Sequence, residues 1–143
     1  SVVLISFGLD TATAAREALP GNTVLLLVEF VPDYPAGAWR AELREGADFQ
    51  PRELPGEIDG LLALLRQRGL DGIDASFAQP AALPRRLHEA GLDCAVWTVN
   101  TPEGALDAVE RGCQILTTDR PEALAEALAA AGIEHRPRGP QVP

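Results

Sequence analysis

The chain reads as an α/β domain built on a parallel sheet, and three features of the sequence predict this. Short apolar runs alternate with amphipathic stretches along most of its length, the signature of βαβ units. Several runs, such as Val2 to Ile5 and Val24 to Val28, are apolar on both parities, as expected of strands covered on both faces. No Asn-Gly hairpin signal lies between consecutive runs, so antiparallel pairing is not expected.

Taken in order, strands are expected near residues 2–7, 23–29, 71–76, 93–99 and 113–118. A short helix, Thr11 to Leu19, follows the first and is stopped by Pro20-Gly21. The stretch from residue 31 to residue 55 carries Pro32, Pro35, Pro51 and Pro55 with Gly37 and Gly46, a composition that breaks regular structure. Within it, Ala38 to Glu45 is expected to form a helical turn. Ile58, Leu61, Leu62 and Leu65 then follow the i, i+3, i+4, i+7 spacing of an amphipathic helix that Gly69 closes. Pro80 to Ala90 makes the next helix, with Leu83 and Leu87 inward and Gly91 at its end. Thr101-Pro102 opens another with a capping hydroxyl and a first-turn proline. Asp119 and Glu122 have capping-box spacing ahead of a stripe of Leu124, Ala127, Leu128 and Ala131. These elements fill residues 1–132, and 133–143, with prolines and no periodicity, read as an irregular tail.

The chain has 143 residues, 46% of them apolar and 23% charged, which is enough to bury a real core and typical of a globular domain. Its net charge of -9 repels phosphate backbones and argues against a nucleic-acid partner. The same charge would not gather anionic phosphodiesters, so a phosphate site would need a local metal or donors. No apolar run reaches the ~20 residues of a membrane span. The opening Ser1-Val2-Val3-Leu4-Ile5 has neither the basic flank nor the cleavage site of a signal peptide, so a cytoplasmic location is expected. An opening inside an apparent buried strand reads as a cut from something longer. Cys94 and Cys113 sit near the starts of consecutive strands and are expected to be buried, reduced thiols.

Five β/α units fit two architectures, an open doubly wound sheet or five-eighths of a (β/α)8 barrel. No Gly-rich phosphate loop follows any strand, so the dinucleotide-binding form of the first lacks its signature. In either, groups at the carboxyl ends of strands are the candidates for chemistry. Trp97 ends the fourth strand and is either a core residue or a pocket wall. Ser6 and Phe7 end the first; no G-x-S-x-G elbow surrounds Ser6, so its hydroxyl is expected to serve local backbone while Phe7 lines the mouth. Glu29 is a lone carboxylate closing an apolar strand, and Asp74 is a polar residue late in the third. Asn100 and Asp119 read first as helix caps, and Thr118 shares the loop of the latter. His88, mid-helix, and His135, in the tail, have no partners at catalytic or metal-ligand spacing.

Trp97-Thr98-Val99-Asn100, Thr118-Asp119-Arg120-Pro121 and the Ser6-Phe7 pair resemble strands of the glycerophosphodiester phosphodiesterase family. The resemblance covers most of the chain but only the second half of the family's barrel. It implies that this chain is the C-terminal five β/α units of a TIM (β/α)8 barrel. It further implies a parent enzyme hydrolysing glycerophosphodiesters to an alcohol and glycerol 3-phosphate with a divalent metal, Ca or Mg. The resemblance implies that Trp97, Phe7 and Ser6 wall the substrate pocket, and Glu29, from its place at a strand end, is expected to join them.

The family's His-Arg-Gly and metal-binding Glu-x-Asp motifs cannot be placed here. His135-Arg136 is followed by Pro137, and Glu57-Ile58-Asp59 falls in a helix, where residues i and i+2 point about 200° apart. No catalytic or metal-ligating residue is therefore assigned, no metal is expected on this chain alone, and the chain alone is expected to be inactive. Its expected partners are a small phosphodiester and either the missing N-terminal half or a second copy. The other reading is a non-catalytic α/β module that binds a ligand or partner.

Overall fold

The structure is a computed structural model that describes residues 2–33, 38–46, 50–54 and 57–134. Seven strands and five helices are found among these residues: β1 (Val3–Ser6), α1 (Leu9–Ala18), β2 (Thr23–Asp33), β3 (Ala38–Glu45), β4 (Gln50–Leu54), α2 (Glu57–Arg68), β5 (Gly72–Ser76), α3 (Leu83–Glu89), β6 (Asp93–Trp97), α4 (Pro102–Arg111), β7 (Ile115–Leu116) and α5 (Pro121–Ala130). Most of the expected tail, including His135-Arg136, lies outside the described residues.

The parallel strands β1, β2, β5, β6 and β7 each pair with the next, with no reversal of order. That excludes the doubly wound sheet, whose order reverses once. The register also fixes the two faces. Val24, Leu26 and Val28 align with Ile73, Ala75, Cys94 and Val96, and all of them join one core cluster with Leu9, Leu61, Leu65, Leu87, Ala105 and Leu128. Every helix from α1 to α5 contributes to that cluster, so the helices share one side of the sheet. Leu25, Leu27, Asp74 and Ala95 alternate onto the other side, where they are buried outside the cluster. A sheet with helices on one face and sequential parallel strands is a segment of a (β/α) barrel.

The helix termini follow the sequence closely. Thr101 Oγ1 accepts the backbone N–H of Gly104 at 3.1 Å to cap α4, while Gly69 and Gly91 take φ of 66° and 73° just beyond α2 and α3, as glycine allows. At α5 the expected capping box is absent: Arg120 is the N-cap and no side chain caps it. Leu124 and Leu128 are buried as expected, but Ala131 is exposed.

The largest departure is the segment after β2. Ala38 to Glu45, expected as a helical turn, is a strand antiparallel to the distal half of β2, with Phe30 opposite Ala41. β4 pairs antiparallel with β3 in turn. β2 runs 11 residues. Its first half pairs with β1 and β5 and its second half with β3. Alternation explains the stability of this arm: Ala41 and Leu43 are buried in the helix-side core with Phe30, whereas Arg40 and Glu42 lie on the opposite face, where their side chains stand 4.0 Å apart.

Candidate functional site at the carboxyl ends of the strands

The concave face has a closed floor and an open rim. The registered row Leu27, Asp74, Ala95 and Ile115 forms the floor, with Asp74 2% exposed and Ala95 0%. The next row toward the carboxyl ends contains Ser76 paired with Trp97, and Glu29 and Thr117 lie one residue beyond the last parallel pairs of β2 with β5 and β7 with β6. Glu29 and Thr117 are exposed, and Ser76 and Trp97 are half-buried. Phe7, on β1's side of the rim, is 54% exposed.

Trp97, Glu29 and Phe7 therefore share the mouth of the segment, as the sequence leads one to expect. Trp97 Nε1 is buried with no hydrogen-bond partner among the described residues. Its carbonyl accepts the N–H of Phe77 at 3.1 Å, and the Trp97–Thr98 peptide is cis. Ser6 alternates onto the helix side beside Leu26. Its Oγ accepts the N–H of Gly8 at 3.2 Å and donates to the Gly8 carbonyl at 3.3 Å, closing the turn that presents Phe7.

Asp74 is the group whose setting the sequence least discloses. It lies deep in the floor of the concave face, where burial pushes its carboxyl up to about 6 although a hydrogen bond from Thr117 pulls the other way. Thr117 belongs to the loop after β7, two strands away. The intervening residue on this face is the small Ala95. Asp74 Oδ1 has no hydrogen-bond partner among the described residues. The polar residue inside Gly-Ile-Asp-Ala-Ser was the one signal available.

Two loops are cross-tied by Asn100, in a way that replaces both expected caps. Its Nδ2 donates to Asp119 Oδ2 at 3.1 Å, and its Oδ1 accepts from Thr118 Oγ1 at 3.1 Å and from the Asp119 N–H at 3.0 Å. Thr118 Oγ1 also accepts the N–H of Arg120 at 3.0 Å. Asn100 thus holds the β7–α5 loop against the β6–α4 loop, and Asp119 is engaged there instead of capping α5. His88 Nδ1 lies 3.2 Å from Gln114 Nε2 on the outer surface, away from this face.

Among the described residues, no group of three or more His, Cys, Asp or Glu side chains is placed to hold a metal ion. The carboxylates on the concave face are also ill-matched, since Asp74 lies in the floor and Glu29 on the exposed rim. Among the described residues, no set of carboxylates converges on a divalent ion. A cleft of about 320 Å³ lies instead between α2 and α3, lined by Asp59, Leu62, Ala63, Arg66, Arg86, Glu89 and Ala90. It is on the helix side and includes none of the rim residues. No helix among the described residues is long and apolar enough to cross a membrane.

Solved structures share this architecture. A Silicibacter pomeroyi protein provisionally named a glycerophosphoryl diester phosphodiesterase superposes with a TM-score of 0.64 at 21% identity, covering 94% of this chain and 40% of its own. A glycerophosphodiester phosphodiesterase from Parabacteroides distasonis gives 0.58 at 19%, over 90% of this chain and 43% of its own. An Oleispira antarctica phosphodiesterase in complex with the product sn-glycerol-3-phosphate gives 0.62 at 14%, over 89% and 41%. At these identities the likeness establishes the fold, and the chain spans well under half the length of each. A comparison with curated proteins finds no match. Residues 1–123 match the profile of the Glycerophosphoryl diester phosphodiesterase family, and the chain belongs to that family.

Proposed function

We propose that this chain forms the C-terminal wall of a glycerophosphodiester phosphodiesterase barrel that releases an alcohol and glycerol 3-phosphate. The observation that carries the reading is the placement of Trp97 at the carboxyl rim of β6, on the concave face, with Glu29 and Phe7 on the same rim, in a chain of this family. The indole offers a flat apolar wall for a substrate's glycerol or alcohol group. Phe7 extends that wall along β1, and Ser6 holds the turn beneath it. The divalent ion of the reaction, Ca or Mg, and the groups that move protons would come from complementary strands, because the carboxylates here do not converge. When bound, such an ion polarises the phosphoryl oxygen and activates water. The partner is then an N-terminal half-barrel, or a second copy supplying an equivalent surface.

The test is complementation. The isolated chain and the chain joined to an N-terminal half carrying His-Arg-Gly and Glu-x-Asp are assayed for turnover of glycerophosphocholine. Turnover is expected only from the joined protein. There, Trp97→Ala raises KM or lowers kcat/KM about 10-fold or more, leaving metal affinity nearly unchanged, since an indole contributes packing and not coordination. Metal-dependent turnover by the isolated chain overturns the division of labour. Ligand binding by the isolated chain, with no turnover after joining, favours the non-catalytic module.

A further inference from the structure

We propose that Cys94 and Cys113 form a redox-active pair that a hydroperoxide converts to an intrachain disulfide at the end of the barrel opposite the pocket. Both thiols are free and buried, and both belong to the same core cluster behind the sheet. Cys94 is the second residue of β6, and Cys113 lies two residues before β7. The Gln114 N–H donates to the Cys94 carbonyl at 3.0 Å, and the Cys94 N–H donates to Gln114 Oε1 at 2.8 Å. Cys113 is therefore one strand across and one residue back from Cys94. Strands about 4.8 Å apart with a rise of about 3.3 Å per residue put such Cα atoms roughly 6 Å apart, within the ~4.4–6.8 Å range that disulfides span.

The Cys94 thiol donates to Gln79 Oε1 at 3.9 Å, and the two sulfurs differ in setting. The neighbouring Cys113 thiol and burial drive the Cys94 thiol up, while the neighbouring Cys94 thiol and the nearby Arg111 guanidinium draw Cys113 down despite its own burial. Cys94 holds its proton, which it donates to Gln79, and Cys113, beside the Arg111 guanidinium, is the nucleophile. Cys113 is also the more accessible of the two, at 7% exposure against 0%, immediately after Gly112 turns the chain out of α4 with φ 99°.

The chemistry balances with hydrogen peroxide as the oxidant. The Cys113 sulfur attacks a peroxide oxygen, the O–O bond breaks, and the departing hydroxide takes a proton and leaves as water, giving a sulfenic acid. The Cys94 sulfur then attacks the Cys113 sulfur, the S–O bond breaks, and the hydroxyl leaves with the Cys94 proton as a second water. Two thiols have lost two electrons and two protons, and one peroxide has become two waters. The bond would tether β6, which carries Trp97, to the approach of β7, which leads to Thr117.

The test uses the whole chain under native conditions. It is exposed to graded hydrogen peroxide, quenched, denatured, alkylated and weighed intact. Both thiols should disappear together, leaving a monomer two hydrogens lighter that dithiothreitol restores. In Cys94→Ser, dimedone should trap a sulfenic acid on Cys113; in Cys113→Ser, Cys94 should stay reduced at the same dose. Cys94→Ala replaces the serine variant if circular dichroism shows the latter unfolded. Retention of both thiols, bridging between chains, or oxidation only in urea that unfolds the chain overturns the proposal.

Discussion

Replacing Asp74 with asparagine isolates the one titration that the barrel interior imposes on folding. The carboxyl rises from 3.8 to about 6 in the folded chain, chiefly because burial disfavours its charge. Its protonated form is the one the fold prefers, so its contribution to stability is whole below about pH 4, declines as pH climbs, and is gone above about 6. At about 1.4 kcal/mol per tenfold, the ionised carboxylate costs about 3 kcal/mol at pH 7. An asparagine side chain at this position cannot ionise, and its carbonyl still accepts from Thr117. The stability of Asp74→Asn relative to wild type should therefore grow by about 2.5 kcal/mol between pH 4 and pH 7. In urea titrations followed by tryptophan fluorescence, that is a relative midpoint shift of roughly 2 M for m near 1.5 kcal/mol per M. The other carboxylates titrate in both proteins and cancel in the difference. Two parallel stability–pH curves would refute the assignment of a buried, proton-preferring carboxyl.

Other perturbations test the frame around the site. Asn100→Ala removes three hydrogen bonds between the β6–α4 and β7–α5 loops; a loss of about 1–3 kcal/mol should appear in thermal melts, with faster hydrogen exchange at Asp119. Gly72→Ala places a Cβ 2.0 Å from the Asp93 carbonyl oxygen, so β5 and β6 must separate, and destabilisation of about 3 kcal/mol or more should be evident in urea. Thr101→Ala uncaps α4 for about 1 kcal/mol, which Thr101→Ser should largely recover, both read from thermal midpoints. Trp97→Ala in the joined enzyme should separate kcat/KM from metal affinity, in paired turnover and metal titrations.

The barrel segment was legible because its strands are short apolar runs set off by glycine and proline, and its helices bury regular stripes such as Ile58, Leu61, Leu62 and Leu65. The β3–β4 arm was not. Ala-Trp-Arg-Ala-Glu-Leu-Arg-Glu is rich in good helix formers, and local preference gave way to the open edge that the long β2 offers. Its period-two burial, Ala41 and Leu43 in, Arg40 and Glu42 out, was the signal to weigh against propensity. Around the site, the rim positions of Trp97, Glu29 and Phe7 follow from their places at strand ends. Asp119 misled because capping-box spacing says nothing of a competitor from another loop, and Asn100 takes both its carboxylate and its N–H. The contact of Asp74 with Thr117 crosses a small residue on a neighbouring strand, which sequence separation does not encode.

The length of β2 has a mechanical consequence. One uninterrupted strand of 11 residues, about 36 Å at ~3.3 Å per residue, serves as both a barrel stave and the mast of the arm. No loop or glycine interrupts it where one duty passes to the other. The arm is braced as well as carried, since Arg44 bridges to Gly8 and the Gly46 N–H donates to Asp10 Oδ2 at 3.0 Å, so a force on it would be shared between β2 and the start of α1. Displacing the arm would therefore strain two staves at once, and the wall would respond as a panel and not as a flap.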